Sequence, residues 1–148
     1  MEFQNQEELI RTIVRKIVEQ SANQSPFSKE KDVCGALAIR AGQVKTEAFE
    51  GRQDVRLMDL VTLDEAPRMG AGIMELLDRS DFEWTLTYDE FDYVIDGTLE
   101  IVLDSGKVLR GEVGDVLYIP KNTHIHFRTP NQTRYAYFVY PANWQELA

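Results

Sequence analysis

Two histidines and one cysteine are all that this 148-residue chain has of the residues that usually bind transition metals or carry thiol chemistry. A lone cysteine, Cys34, cannot close an internal disulfide, and it reads as an inert strand residue of a chain kept in a reducing compartment. Two histidines fall short of the three or four converging ligands of a common zinc or iron site. Positive charge is scarce as well. Sixteen Lys and Arg against 25 Asp and Glu leave a net charge of −9 with no basic cluster, which argues against nucleic acid or an anionic membrane as partner. No apolar run approaches the length of a membrane span, and Met-Glu-Phe-Gln has neither the basic nor the apolar part of a secretory signal, so the expected location is cytoplasmic. The chain also lacks the G-x-x-x-x-G-K-[ST] phosphate loop, any glycine-rich turn opening a helix, and the G-x-S-x-G nucleophile elbow.

What is present is a globular composition, 43% hydrophobic and 28% charged, in a chain long enough for one well-filled domain and a short appendage. The appendage comes first. Over residues 4–20, Leu9, Ile10, Ile13, Val14, Ile17 and Val18 recur at helical spacing, with acidic residues early and basic ones late as the helix dipole prefers. Such a helix is marginal alone and needs its stripe buried, on its own domain or on a partner. The polar run Ser21-Ala22-Asn23-Gln24-Ser25-Pro26 ends it. Three segments follow from this: a helix over 1–22, a linker over 23–32, and a β domain over 33–148.

From Val33 the period changes to two. Short apolar–polar alternations, among them 33–40, 82–88, 91–95, 98–103 and 124–128, are separated by turn chemistry such as Asp96-Gly97, Asp104-Ser105-Gly106 and Gly114-Asp115. About ten short strands with no helix between them predict an all-β sandwich or barrel. Alternation assigns faces. Glu90 shares one with Asp92 and Val94; Trp84, Leu86 and Tyr88 share another; Ile125 and Phe127 oppose His124, His126 and Arg128. The chemistry concentrates at Tyr88, Asp89, Glu90, Asp92 and Tyr93. A glutamate held in a partly apolar interior beside a second acid has its pKa raised, which suits a general acid or base; the same oxygens suit Mg²⁺; and a structural role, with two of the acids in solvent, explains the cluster equally well. His124 and His126 read as surface or interface residues.

Two spacings carry a resemblance: Glu90 to Gly97 with six residues between, and Gly114 to Pro120 with five. They resemble the two motifs of the cupin superfamily, which implies a double-stranded β-helix, or jelly-roll barrel, that usually holds a metal on three His and one Glu. The three His positions fall here on Trp84, Leu86 and Ile125, and Glu90 alone survives, so the resemblance implies no transition metal. Pro67-Arg68-Met69-Gly70-Ala71-Gly72, Trp84 to Glu90, Gly114 to Lys121 and Tyr140-Pro141-Ala142-Asn143-Trp144 further resemble the EutQ family of ethanolamine utilisation. That likeness implies a homodimeric cupin of a bacterial microcompartment. It also implies acetate kinase activity in some members, with Mg²⁺ and ATP or ADP, and a small metabolite as ligand. Tyr88, Asp89 and Glu90 are the site residues that carry over, with Asp92 and Tyr93 beside them. His126 departs from the acid expected there. The stretch Glu7-Glu8-Leu9-Ile10-Arg11-Thr12-Ile13-Val14 resembles encapsulation peptides, which implies shell proteins as partners of Leu9, Ile10, Ile13, Val14 and Ile17. A non-catalytic metabolite-binding or assembly module is the alternative to an enzyme.

Overall fold

The chain, described here from a computed structural model, packs into two compact units divided after Lys45, and hydrogen-bond pairing sorts its described strands into three sheets. The structure describes Gln6, residues 8–13 and residues 27–147. In the first unit residues 8–13 are helical, with Leu9, Ile10 and Ile13 exposed; Val14, Ile17 and the rest of the expected helix lie outside the described residues. The same unit contains a small antiparallel pair, β1 (Lys29–Lys31) with β2 (Leu37–Ile39). This corrects two sequence expectations. The stretch read as linker contains β1, and the strand expected over 33–40 shrinks to three residues because a turn occupies its first half. Cys34 sits in that turn, exposed, its N–H donating to Asp32 Oδ2 at 2.9 Å, and is not a strand residue.

The second unit is all β and holds ten strands: β3 (Glu47–Phe49), β4 (Arg52–Asp59), β5 (Gly70–Leu76), β6 (Asp81–Leu86), β7 (Asp89–Gly97), β8 (Leu99–Leu103), β9 (Val108–Gly111), β10 (Val116–Ile119), β11 (Thr123–Arg128) and β12 (Thr133–Tyr140). A helical turn, Trp144–Leu147, follows. The strands form a six-stranded sheet in the order β10-β7-β12-β5-β4-β3 and a four-stranded sheet in the order β6-β11-β8-β9. All pairs are antiparallel. From β5 on, the chain crosses between the two sheets repeatedly, which is the winding of a jelly roll.

The burial pattern is the period-two alternation made physical. In β7 Glu90, Asp92 and Val94 are buried while Phe91, Tyr93 and Ile95 are exposed; in β11 Ile125 and Phe127 are buried between half-exposed His124, His126 and Arg128. The inner faces meet in one core that includes Leu76, Leu86, Val94, Leu99, Ile101, Ile125, Tyr135 and Val139. Gly97, which closes the first motif, shows why its spacing is fixed. Its φ is +69°, and a Cβ there would lie 2.0 Å from the carbonyl oxygen of Gln132. The turn therefore needs glycine on two counts.

Candidate functional site

The site is built on β7, because its inner face carries two carboxylates where an aliphatic pair would be expected. Glu90 and Asp92 are 5% and 0% exposed. Glu90 Oε2 and both oxygens of Asp92 receive no hydrogen bond from any described residue, so the pair's polar company is largely each other. Burial disfavours their charged forms and pushes Glu90 up to about 7, and burial together with the neighbouring Glu90 charge drives Asp92 well above the carboxylate range. A buried acceptor without a donor is costly, and a proton, a cation, a water or a donor ligand relieves it.

Three tyrosines surround the acids. Tyr88 is buried just before β7, and its Oη accepts a hydrogen bond from Trp84 Nε1–H at 2.7 Å. Tyr135 and Tyr137 reach inward from β12, where Tyr137 pairs with Asp92 and Val139 with Glu90. Burial and the acids' negative charge raise all three phenols, so each stays protonated as a donor at neutral pH. The Tyr137 hydroxyl donates to Asp59 Oδ1 at 2.6 Å, with Gln145 Nε2 on the other oxygen at 3.2 Å; the Tyr135 hydroxyl meets Met74 Sδ at 3.0 Å. Tyr137 reaches Asp59 because the strand between them offers no side chain: Tyr137 pairs with Gly72, Gly72 pairs with Asp59, and a Cβ on Gly72 would lie 2.0 Å from the ring.

Glu90 opens onto a pocket of about 290 Å³, its mouth included, lined by Phe49, Leu57, Met74, Phe82, Trp84, Tyr88, Phe127, Tyr137 and Trp144. Phe82 and Trp84 stack at 5.4 Å, and Trp144 from the final helical turn closes against Tyr88 at 5.4 Å and Tyr137 at 6.2 Å. No Lys or Arg lines this pocket. The three positions that the cupin motif assigns to histidine are filled as follows: Trp84 is in the pocket wall, and Leu86 and Ile125 are fully buried in the core.

The residues singled out from sequence separate here. Tyr88, Glu90 and Asp92 come together inside. Asp89 and Tyr93 do not, because their parity in β7 turns them to the outer face: Asp89 accepts from the Tyr118 hydroxyl at 3.1 Å and from the Lys121 N–H at 2.8 Å, and Tyr93 is 45% exposed. Tyr135, Tyr137, Asp59 and Trp144 are site residues that sequence reading missed. The alternation Tyr135, Tyr137, Val139 against Arg134, Ala136, Phe138 held the signal for the first two.

Comparison with known proteins assigns the family. The profile described as "Ethanolamine utilisation protein EutQ" matches residues 4–146. The chain is 41% identical over 147 residues to "Acetate kinase EutQ" of Clostridioides difficile (strain 630), covering 92% of each. It is 36% identical over 154 residues to "Acetate kinase EutQ" of Escherichia coli (strain K12), covering 99% of this chain and 65% of that protein. Among solved structures, the Clostridium difficile EutQ protein superposes with a TM-score of 0.78 at 39% identity, over 84% of this chain and 94% of that one. A cupin superfamily protein from Desulfitobacterium hafniense DCB-2 superposes with a TM-score of 0.55 at 17% identity, over 69% of this chain and 87% of that one, a likeness of fold alone. The barrel thus has the cupin fold, and the chain belongs to the EutQ family of ethanolamine utilisation proteins.

Proposed function

We propose that the chain is a Mg²⁺-dependent acetate kinase of ethanolamine utilisation, working as a homodimer in or at a bacterial microcompartment. The observation that carries the reading is the set of donor-less carboxylate oxygens on Glu90 and Asp92 beside an open pocket. Hard oxygen acceptors without partners are what a Mg²⁺ ion satisfies, and Glu90 and Asp92 are the residues that would hold it. Bound there, the ion supplies the positive charge that a phosphoryl group needs and that the pocket's side chains lack. The relatives named acetate kinase support the same reading.

In the forward direction the bond between phosphorus and the acetyl oxygen breaks, a bond to an ADP phosphate oxygen forms, and acetate leaves. The chain's own contribution is positioning. The Tyr88 phenol, kept protonated by burial, donates to the carboxylate of acetate, while Trp84 Nε1–H fixes the phenol oxygen. The aromatic walls hold the methyl group and exclude water. The enclosed part of the pocket is narrow and admits only a small group, so the acetyl end enters it and the nucleotide lies toward its mouth.

The aromatic lining also favours a second reading. An enclosure of aromatic faces with one carboxyl and no cation suits a small organic cation, so a non-catalytic metabolite-binding module is the rival. A coupled assay for ATP from acetyl phosphate and ADP separates the two. Wild type turns over with Mg²⁺ and stops on chelation, and Glu90→Gln lowers kcat by about a hundredfold or more, as loss of a positioned charge does. Equal turnover by mutant and wild type removes Glu90 from the mechanism, and no turnover by either leaves the binding module.

A further inference from the structure

The two histidines sit outside the barrel, one residue out of phase with the interior. Ile125 between them takes the inward position, so His124 and His126 project together from the outer face of the four-stranded sheet, their rings 5.8 Å apart. On the neighbouring strand β6, Glu83 pairs directly with His126, and its Oε1 lies 2.7 Å from His124 Nε2. One ligand atom from each of Glu83, His124 and His126 lies within 4.8 Å of the other two. Two further carboxylates grip the rings from behind. Asp104 Oδ1 is 2.6 Å from His124 Nδ1, and Asp81 Oδ1 is 2.5 Å from His126 Nδ1. A carboxylate on Nδ1 fixes the tautomer, sets the ring orientation and leaves Nε2 to take a metal.

We propose that Glu83, His124 and His126 form a surface site for a divalent transition-metal ion, with Asp81 and Asp104 as its supporting carboxylates. Imidazole nitrogen with one carboxylate suits Zn²⁺, Ni²⁺ or Cu²⁺ rather than Mg²⁺ or Ca²⁺. The side chains of both histidines are about one third exposed and Glu83 is 66% exposed, so the ion enters from solvent and keeps coordination positions open on that side. An ion between them replaces the 2.7 Å contact of His124 with Glu83 by two bonds to itself: those two ligand atoms open to about 3.3 Å, and His126 draws in. The site is separate from the acids of β7, which face the interior from the other sheet.

Calorimetric titration of Zn²⁺ alone into the tag-free full chain carrying Glu90→Gln, which disables the interior carboxylate pair as a competing cation site, tests the proposal. This chain binds one equivalent; adding Glu83→Gln weakens binding at least tenfold; and adding His124→Ala with His126→Ala abolishes it. Stoichiometric binding that survives the double histidine substitution overturns the site, as does a Glu90→Gln chain that binds nothing. If the double variant does not fold, the electron paramagnetic resonance of Cu²⁺ on wild type decides instead. Coupling to two imidazole nitrogens upholds the site, and its absence overturns it.

Discussion

At the scale of single residues the governing quantity is the cost of hiding two carboxyls from water. Glu90 moves from an ordinary 4.5 to about 7 on burial, and Asp92 moves the same way. A folded-state pKa above the unfolded one means that the folded chain holds a proton which the unfolded chain has released. The contribution of the protonated pair is therefore complete below the usual carboxyl range and is lost as pH climbs through about 7. For Glu90 alone the shift corresponds to about 3 kcal/mol of stability between the two ends of that window. Chemical denaturation in chelator at several pH values should show stability falling from pH 5 to pH 8, and Glu90→Gln should flatten the fall. A wild-type profile that rises over this interval contradicts the assignment. Mg²⁺ at the pair should restore part of the loss at the alkaline end, because an ion that binds only the folded state stabilises it.

At the scale of elements, what could be read in the sequence divides cleanly from what could not. Strand parity was legible because side chains on a strand point to opposite faces in turn: 90, 92 and 94 inward, 125 and 127 inward, 124 and 126 outward. The same rule places Asp89 and Tyr93 outside. Grouping them with Glu90 followed nearness in sequence instead of the pleat. The contribution of β12 was not legible, because which tyrosine lies beside which acid depends on the register of β12 against β7, where Tyr137 meets Asp92, 45 residues away in sequence. The reach of Tyr137 to Asp59 across Gly72 needs three strands in order. Strand β1 was hidden for a different reason: Lys-Glu-Lys has no apolar alternation to reveal it. The N-terminal helix is the remaining element. Its described turns expose Leu9, Ile10 and Ile13, an apolar stripe suited to docking in a partner's groove. Deleting residues 1–22 should leave the barrel's circular dichroism unchanged and abolish co-localisation with shell proteins. A truncated chain that still enters compartments removes the helix from targeting.

At the scale of the whole molecule the question is what covers the outer face of the six-stranded sheet. Phe91, Tyr93 and Ile95 from β7, Val116 and Tyr118 from β10, and Phe138 and Tyr140 from β12 are all exposed there. The register makes them neighbours: Tyr118 and Phe138 flank Phe91 on its two sides, and Val116 stands beside Tyr93. The rings of Phe91 and Tyr118 lie 4.8 Å apart. A soluble monomer seldom leaves a contiguous apolar face of this kind in water, and aromatic groups are the favoured anchors of interfaces. A second copy of the same chain is the partner of our proposal, since a twofold axis lets one patch cover its own image. Such a dimer would also account for Tyr93 without chemistry, as an interface residue whose neighbours Glu90 and Asp92 face the interior. Sedimentation equilibrium should give twice the 17.0 kDa chain mass for wild type. Phe91→Glu with Tyr93→Glu should raise the dimer dissociation constant by about a hundredfold or more, as loss of central aromatic anchors does. Because both side chains point away from the core, the near-ultraviolet circular dichroism contributed by Trp84 and Trp144 should persist in the monomer. A doubly substituted chain that remains dimeric, or a wild type that sediments as a single chain, assigns this face to another partner.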